Sequence, residues 1–257
     1  MNSLVSLNTI RTGLQSARGR SASAESHFKT LESEGDGLRR TTLSVETYEA
    51  RHDAEGKDVS DEGKAAVKTT RGVAAKHQTL KDIHGQEEAD RRQLGNDLSG
   101  ALGASQALAL PVPEKSALLQ AISSAQQTDQ SVNWHYQSVD TALFAANLRL
   151  GPVLEQSGII AGDNKGKDVS LNGQYLRDGL ERLAASFTEA SSAAGRSEQS
   201  QDTVGVHIET ALREVDRLED KAVQPFLDDV PFVAYAAREF ALNQLFGPLL
   251  ADGGSLS

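Results

Sequence analysis

Apolar residues recur at intervals of three and four along four long stretches of the chain. The first stretch runs from Leu7 to Val45 and the second from Val59 to Leu108. The third and fourth run over residues 118–153 and 169–218. Such spacing puts one narrow apolar stripe on a helix, as in coiled coils and helical bundles. The pattern therefore predicts four long helices and an all-α fold.

Three breaks separate these stretches. Gly and Asp cluster over residues Arg51–Asp58 and again over Ser157–Asp168, which predicts a loop at each place. Pro111 and Pro113 stop the helix between the second and third stretches. We therefore expect two antiparallel helical hairpins. The short proline linker favours hairpins packed side by side as a four-helix bundle, with an open, end-to-end arrangement as the alternative.

The two hairpins are related in sequence. Residues 56–60 read Gly-Lys-Asp-Val-Ser, and residues 166–170 repeat that pentapeptide. Shorter matches follow at nearly the same offset. We interpret this as an internal duplication, with the first hairpin in residues 1–110 and its duplicate in residues 115–222.

The C-terminal segment, residues 224–257, differs from the repeats because it is rich in phenylalanine. Pro231 suits the first turn of a helix, and Gly253 and Gly254 suit its end. We predict a fifth, short, apolar helix that either packs on the bundle or docks on a protein partner. Membrane attachment is disfavoured by the acidic residues of the segment. The predicted partner-binding residues are Phe232, Tyr235, Glu239, Phe240 and Phe246.

Polar residues interrupt the apolar stripes at one level of each hairpin. When each hairpin is folded about its loop, Ser21 and Ala24 come level with His84, Glu87 and Arg91, and Asp129 comes level with Ser197 and Gln201. One interpretation is a metal or ligand site, and the other is a hydrated layer that fixes the register of the helices. Di-iron bundles use Glu-x-x-His, whereas the order here is His-x-x-Glu and the duplicate has no ligands. The register interpretation is favoured, and we expect no metal and no cofactor.

Composition narrows the functional classes. The 257 residues carry a formal net charge of −10, which argues against nucleic acid and anionic membranes as partners. The chain has no cysteine, so disulfides and thiolate metal sites are excluded. No signal peptide and no apolar run of about 20 residues is found. We expect a cytoplasmic protein, or one exported without a cleaved signal.

A hairpin repeat of this size resembles the WXG100 class of type VII secretion substrates. Those proteins carry Trp-x-Gly at the hairpin turn and Tyr-x-x-x-Asp/Glu after the second helix. Here Leu171-Asn172-Gly173 stands at the turn with Leu in place of Trp, and Tyr235 to Glu239 fits the second pattern. The resemblance implies export without a signal peptide, and two hairpins that pair within one chain.

No nucleophile–base motif, Walker loop or dinucleotide-binding fingerprint occurs in the sequence. We therefore predict a non-enzymatic structural or interaction protein whose helical surfaces bind protein partners, self-association included. The alternative is a membrane-acting effector or a pore-forming helical protein that inserts its C-terminal helix. An enzyme with an unrecognised site is the third class, and it would require a deep polar pocket.

Overall fold

The computed structural model describes residues 2–45, 60–162 and 169–228. Four helices account for almost all of them. The helices are α1 (Asn2–Leu43), α2 (Ser60–Gln106), α3 (Val112–Ala161) and α4 (Ser170–Asp228). No strand occurs in these three ranges. The all-α prediction is confirmed.

The helices pack as a bundle in which each helix has two neighbours. Helix α1 packs on α2 and α4, and α3 packs on the same two helices from the other side. The ion pair between Arg20 and Asp90 and the one between Glu34 and Lys76 show that α1 and α2 run in opposite directions. Because every helix touches two others, the apolar stripes meet along a common core.

The predicted stripes form this core. Leu7, Ile10 and Leu14 at one end are fully buried, and Phe28 and Phe187 are the largest fully buried side chains. The core is wider on α3 and α4 than the stripes suggest, because a second set of small side chains is also buried there. These additional residues are Ala121, Ala142, Ala184 and Ala193.

The predicted start of the second loop, at Ser157, is too early in the chain. Helix α3 continues through Ser157 to Ala161 despite Gly158. Ser157 is fully buried and donates a hydrogen bond to the Val153 carbonyl at 2.8 Å, and Ile160 is fully buried. Burial of this last turn outweighs the cost of one glycine in a helix. Residues 163–168 and the whole of the first predicted loop lie outside the described residues.

The proline linker is short and is fastened to the helix before it. Helix α2 ends at Gln106, and α3 begins with prolines at its first turn. Lys115 is buried and donates to the carbonyl oxygens of Gln106 at 2.5 Å and Leu108 at 2.8 Å. A cation at the carboxyl end of a helix satisfies free carbonyls and interacts favourably with the helix dipole. The linker therefore holds α2 and α3 as neighbours.

Glycine permits one very close contact at the opposite end of the bundle. A Cβ atom on Gly63 would lie 2.4 Å from the backbone nitrogen of Ala161 and 2.5 Å from the carbonyl carbon of Ile160. The first turn of α2 thus lies directly against the last turn of α3. Only a residue without a side chain fits there.

The predicted boundary at residue 224 is not a break in the structure. Helix α4 continues through residues 224–228, which are the first five residues of the predicted C-terminal segment. The remainder of that segment, residues 229–257, lies outside the described residues.

Candidate functional site

A layer of polar side chains crosses the bundle core near its middle. It includes residues from all four helices, and we call it the polar layer. Its members are Ser21 of α1, His84, Glu87 and Arg91 of α2, Asp129 and Tyr136 of α3, and Gln201 of α4.

Arg91 joins α2 to α3. Its Nη2 donates to the backbone carbonyl of Asp129 at 2.9 Å and lies 3.5 Å from Oδ1 of the same residue. Its guanidinium carbon lies 5.4 Å from the ring centre of Tyr136, close enough for a cation–π interaction. Only 9% of the Arg91 side chain is exposed. The charge of this arginine is therefore held between groups of α3.

Glu87 is the most deeply buried charged residue of the layer. Its side chain is 0% exposed, with Oε2 at 3.4 Å from His84 Nδ1 and Oε1 at 3.7 Å from Arg91 Nε. Among the described residues, neither carboxylate oxygen has a hydrogen-bonding partner, and the same holds for both ring nitrogens of His84. Burial raises the pKa of Glu87, although His84, Arg91 and His27 act in the opposite direction. The removal of this carboxylate from water outweighs its nearby positive charges.

Aromatic packing closes the layer beside Glu87. The rings of His84 and Tyr136 are stacked, with centroids 4.4 Å apart and an interplanar angle of 25°. Burial raises the pKa of Tyr136, and the neighbouring carboxylates of Glu88 and Glu87 raise it further. The phenol therefore stays neutral at physiological pH and serves as a platform for Arg91 and His84.

The opposite side of the layer joins α1 to α4. Gln201 Nε2 donates to Ser21 Oγ at 2.8 Å, and Ser21 Oγ lies 3.3 Å from the backbone carbonyl of Gln201 and donates to it. Both residues are buried.

On the α2–α3 side of the layer, burial raises the pKa of Asp129, although the attraction of Arg91 acts in the opposite direction.

The layer connects the two predicted hairpins rather than only the helices within each. The sequence prediction placed Asp129 with Ser197 and Gln201, and Ser21 with Arg91. The structure joins Arg91 to Asp129 and Ser21 to Gln201, and each of these contacts links residues 1–110 to residues 115–222. Ser197 instead bonds within its own helix. The prediction identified the residues but not their partners across the core.

A second set of polar contacts flanks the layer between α1 and α2. Asp90 accepts hydrogen bonds from Arg20 at 3.0 Å and Ser23 at 2.6 Å, and His27 Nδ1 lies 3.8 Å away. Arg20 is half-exposed, whereas Asp90 and His27 are mostly buried. They connect the buried layer to the surface of the bundle.

The chemistry of the polar layer is that of a structural network. Among the described residues, no group of three or more His, Asp or Glu side chains is arranged to hold a metal ion. Buried polar atoms without protein partners are commonly satisfied by ordered water.

The five residues predicted to bind a partner are not brought together by the described structure. Phe232, Tyr235, Glu239, Phe240 and Phe246 all lie outside the described residues.

The structure reveals an apolar surface that the sequence prediction missed. Trp134 is 76% exposed, Leu148 is 61% exposed, and Leu171 and Tyr175 are each 55% exposed. They lie on the outer face of α3 and α4. One feature of the sequence could have indicated this surface: the only tryptophan, Trp134, lies outside the predicted core stripe of its helix.

No protein family, no curated protein and no solved structure matches this chain. The resemblance to the WXG100 class therefore stays a prediction. Within the three described ranges, no helix has the length and apolarity needed to cross a bilayer.

Proposed function

We propose that this chain is a non-enzymatic helical interaction protein that binds other helical proteins. The observation that carries the proposal is the set of large apolar side chains left exposed on α3 and α4. Leu148 and Tyr175 line one groove together with Pro152, and clustered exposed apolar surface marks a place where another protein binds. Apolar residues repeated along a helix are the usual anchors for a partner helix.

In this proposal the polar layer restricts the four helices to one register. Four helices with similar apolar stripes can pair in more than one register. Arg91 with Asp129 and Ser21 with Gln201 are satisfied at only one register, and a shifted pairing would leave charged groups buried alone. The layer thus keeps the binding surface in one fixed arrangement.

The proposal includes the two-hairpin duplication and the C-terminal apolar helix. Contacts that join residues 1–110 to residues 115–222 are what the packing of two related hairpins requires. The predicted helix over residues 224–257 would add a second partner-binding element, through Phe232, Phe240 and Phe246.

The proposal also includes export without a signal peptide, on the pattern formed by Tyr235 and Glu239. Its test is the distribution of the full chain between cells and culture medium. We expect the native chain in the medium, and Tyr235→Ala or Glu239→Ala retained inside. Tyr175→Ala is the control, because Tyr175 is an exposed tyrosine outside the pattern. Equal retention of all chains, or their equal export, contradicts this part.

Binding itself is tested by capture of partners with the full-length chain, followed by crosslinking to locate the contact. Leu148→Gln is the test variant and Val5→Gln is its control, because both residues are 61% exposed but Val5 lies on α1. We expect Leu148→Gln to lose a helical partner that Val5→Gln retains. Capture that is equal for both variants contradicts the proposal. Binding to liposomes in place of protein would favour the membrane-acting alternative.

A further inference from the structure

The outer face of α3 and α4 carries a second set of heptad positions, separate from the core stripes. On α4, Tyr175, Arg182, Glu189 and Arg196 recur at intervals of seven, and all are exposed. Residues seven apart lie on the same side of a helix. A partner helix can therefore run along this face for several turns.

The same spacing occurs on α3. Trp134, Thr141 and Leu148 recur at intervals of seven, and Pro152 and Ile159 share a second row beside them; all five are exposed. We call the two rows of α3 and the row on α4 the α3–α4 face.

Two shallow grooves lie on this face. The first is bounded by Trp134 of α3 and by Glu189 and Arg196 of α4. The second is bounded by Leu148 and Pro152 of α3 and by Tyr175, Asp178 and Arg182 of α4. The large side chain of Trp134 lies beside the first groove, and the second groove includes three apolar side chains, Leu148, Pro152 and Tyr175, that can contact one.

The face is complementary to itself when a second copy lies on it in the antiparallel direction. A two-fold axis across the helices, between the grooves, sets α3 against α3 and α4 against α4. Along α4, Glu189 then meets Arg182 of the second copy, and Arg196 meets its Asp178. Ala185, which is small and exposed, lies near the axis and permits close approach. Opposite charges therefore meet on both sides of the axis.

The same axis aligns the apolar groups of α3. Trp134 is brought over the groove between Leu148 and Pro152 of the second copy. Because Pro152 has no N–H, it also leaves the carbonyl of Leu148 without its usual helical donor. That carbonyl is available to the indole N–H, which usually bonds when a tryptophan is buried.

The axis sets residues 134–152 of each copy against each other, an axial length of about 27 Å at a rise of ~1.5 Å per residue. Two adjacent helices are roughly 20 Å wide, so each copy would bury on the order of 550 Å². Interfaces of about 1,000–1,200 Å² in total are typical of weak, reversible complexes. The size of the shared face therefore suits a reversible dimer.

We propose that two copies of this chain associate through the α3–α4 face as an antiparallel, two-fold dimer in which Trp134 of each copy fills the Leu148–Pro152 groove of the other. This rests on the proposed function in part, because it names a second copy as one helical partner.

The test is the association state of the full-length chain by analytical ultracentrifugation, combined with tryptophan emission. Trp134 is the only tryptophan, so its emission reports this contact alone. We expect dimers at micromolar concentration and a blue shift of the emission as concentration rises. Trp134→Ser should weaken association about tenfold or more, as is typical for a tryptophan that fills a pocket of its partner. Val5→Gln should leave association unchanged.

Charge exchange tests the orientation. Glu189→Arg should weaken association, because it sets two arginines against each other. Addition of Arg182→Glu to the same chain should restore association. The dimer is overturned if the chain is still monomeric at roughly 100 times the concentration used in the partner capture, since mass action would favour a dimer at that excess. It is also overturned by loss of association in Val5→Gln, or by absence of rescue.

The outcome also separates this inference from the proposed function. A monomeric chain that still captures a different helical protein through Leu148 overturns the dimer and leaves the function standing. A dimer that captures no other protein supports the dimer and counts against the broader function.

Discussion

The buried carboxylate of Glu87 gives the sharpest test of the polar layer. It is 0% exposed, both of its oxygens lack hydrogen-bonding partners within the described part of the chain, and the nearest basic side chains, His84 and Arg91, lie at 3.4 and 3.7 Å. The change is Glu87→Gln, which keeps the shape and removes the charge. Because burial raises the pKa of Glu87, its charged form is less stable in the folded protein than in the unfolded chain.

The pH dependence follows from the sign of this shift. The folded state holds the Glu87 proton more tightly than the unfolded chain does. The resulting stabilisation is complete below the ordinary value of 4.5 and is lost as pH rises through the folded-state pKa. We therefore expect Glu87→Gln to gain little at pH 4.5 and about 1–3 kcal/mol at pH 8, the order of the penalty for a buried polar group whose hydrogen-bonding capacity is unsatisfied.

Urea unfolding followed by circular dichroism at several pH values measures this difference. A gain of this size corresponds to roughly 2–4 °C in Tm per kcal/mol for a chain of this length. Glu181→Gln is the matched control, because Glu181 is exposed on α4 and lies outside the polar layer, so the same change there should shift stability by less than ~0.5 kcal/mol. A less stable Glu87→Gln at pH 8 would show that His84 and Arg91 stabilise the charge, and would refute the reasoning.

Two further predictions concern the bundle itself. Leu183→Asp places a charge at a fully buried core position and should lower the free energy of unfolding by about 3–5 kcal/mol. Gln199→Asp, on the exposed side of the same helix, should change it by less than ~0.5 kcal/mol. Urea unfolding measures both, and equal effects would show that the core stripe of α4 is wrongly placed. Gly63→Ala should destabilise the bundle strongly, because the added Cβ would lie 2.4 Å from the backbone nitrogen of Ala161. Gly72→Ala is the control: its Cβ would have no neighbour within 4 Å, so it should stabilise the helix by about 0.5–1 kcal/mol. Thermal unfolding measures both, and stabilisation by both changes would contradict the close contact at Gly63.

The sequence by itself determined the helices and their core sides. Spacing of three and four predicted Leu7, Ile10 and Leu14 as core, and all three are fully buried. The prediction succeeds because helical geometry repeats every 3.6 residues, so a local pattern identifies the buried side without knowledge of the partner. The polar residues Glu87 and Gln201 were found in the same way, as interruptions of an apolar pattern.

Tertiary structure decided which polar groups meet. Arg91 pairs with Asp129 and Ser21 with Gln201, and both contacts depend on how the helices are ordered around the core. Periodicity records which side of a helix is buried but not which neighbour lies against it. The continuation of α3 to Ala161 was missed for a related reason, since burial of Ile160 overrides the local preference of Gly158.

The outer face of α3 and α4 also required the structure. Trp134 and Leu148 are apolar, and in the sequence they are indistinguishable from residues that widen a core. Only the packed bundle shows that they stay exposed, because the core side of α3 is already filled by Val139 and Leu143. The sequence determined local periodicity, and packing in three dimensions decided which apolar groups were left for a partner.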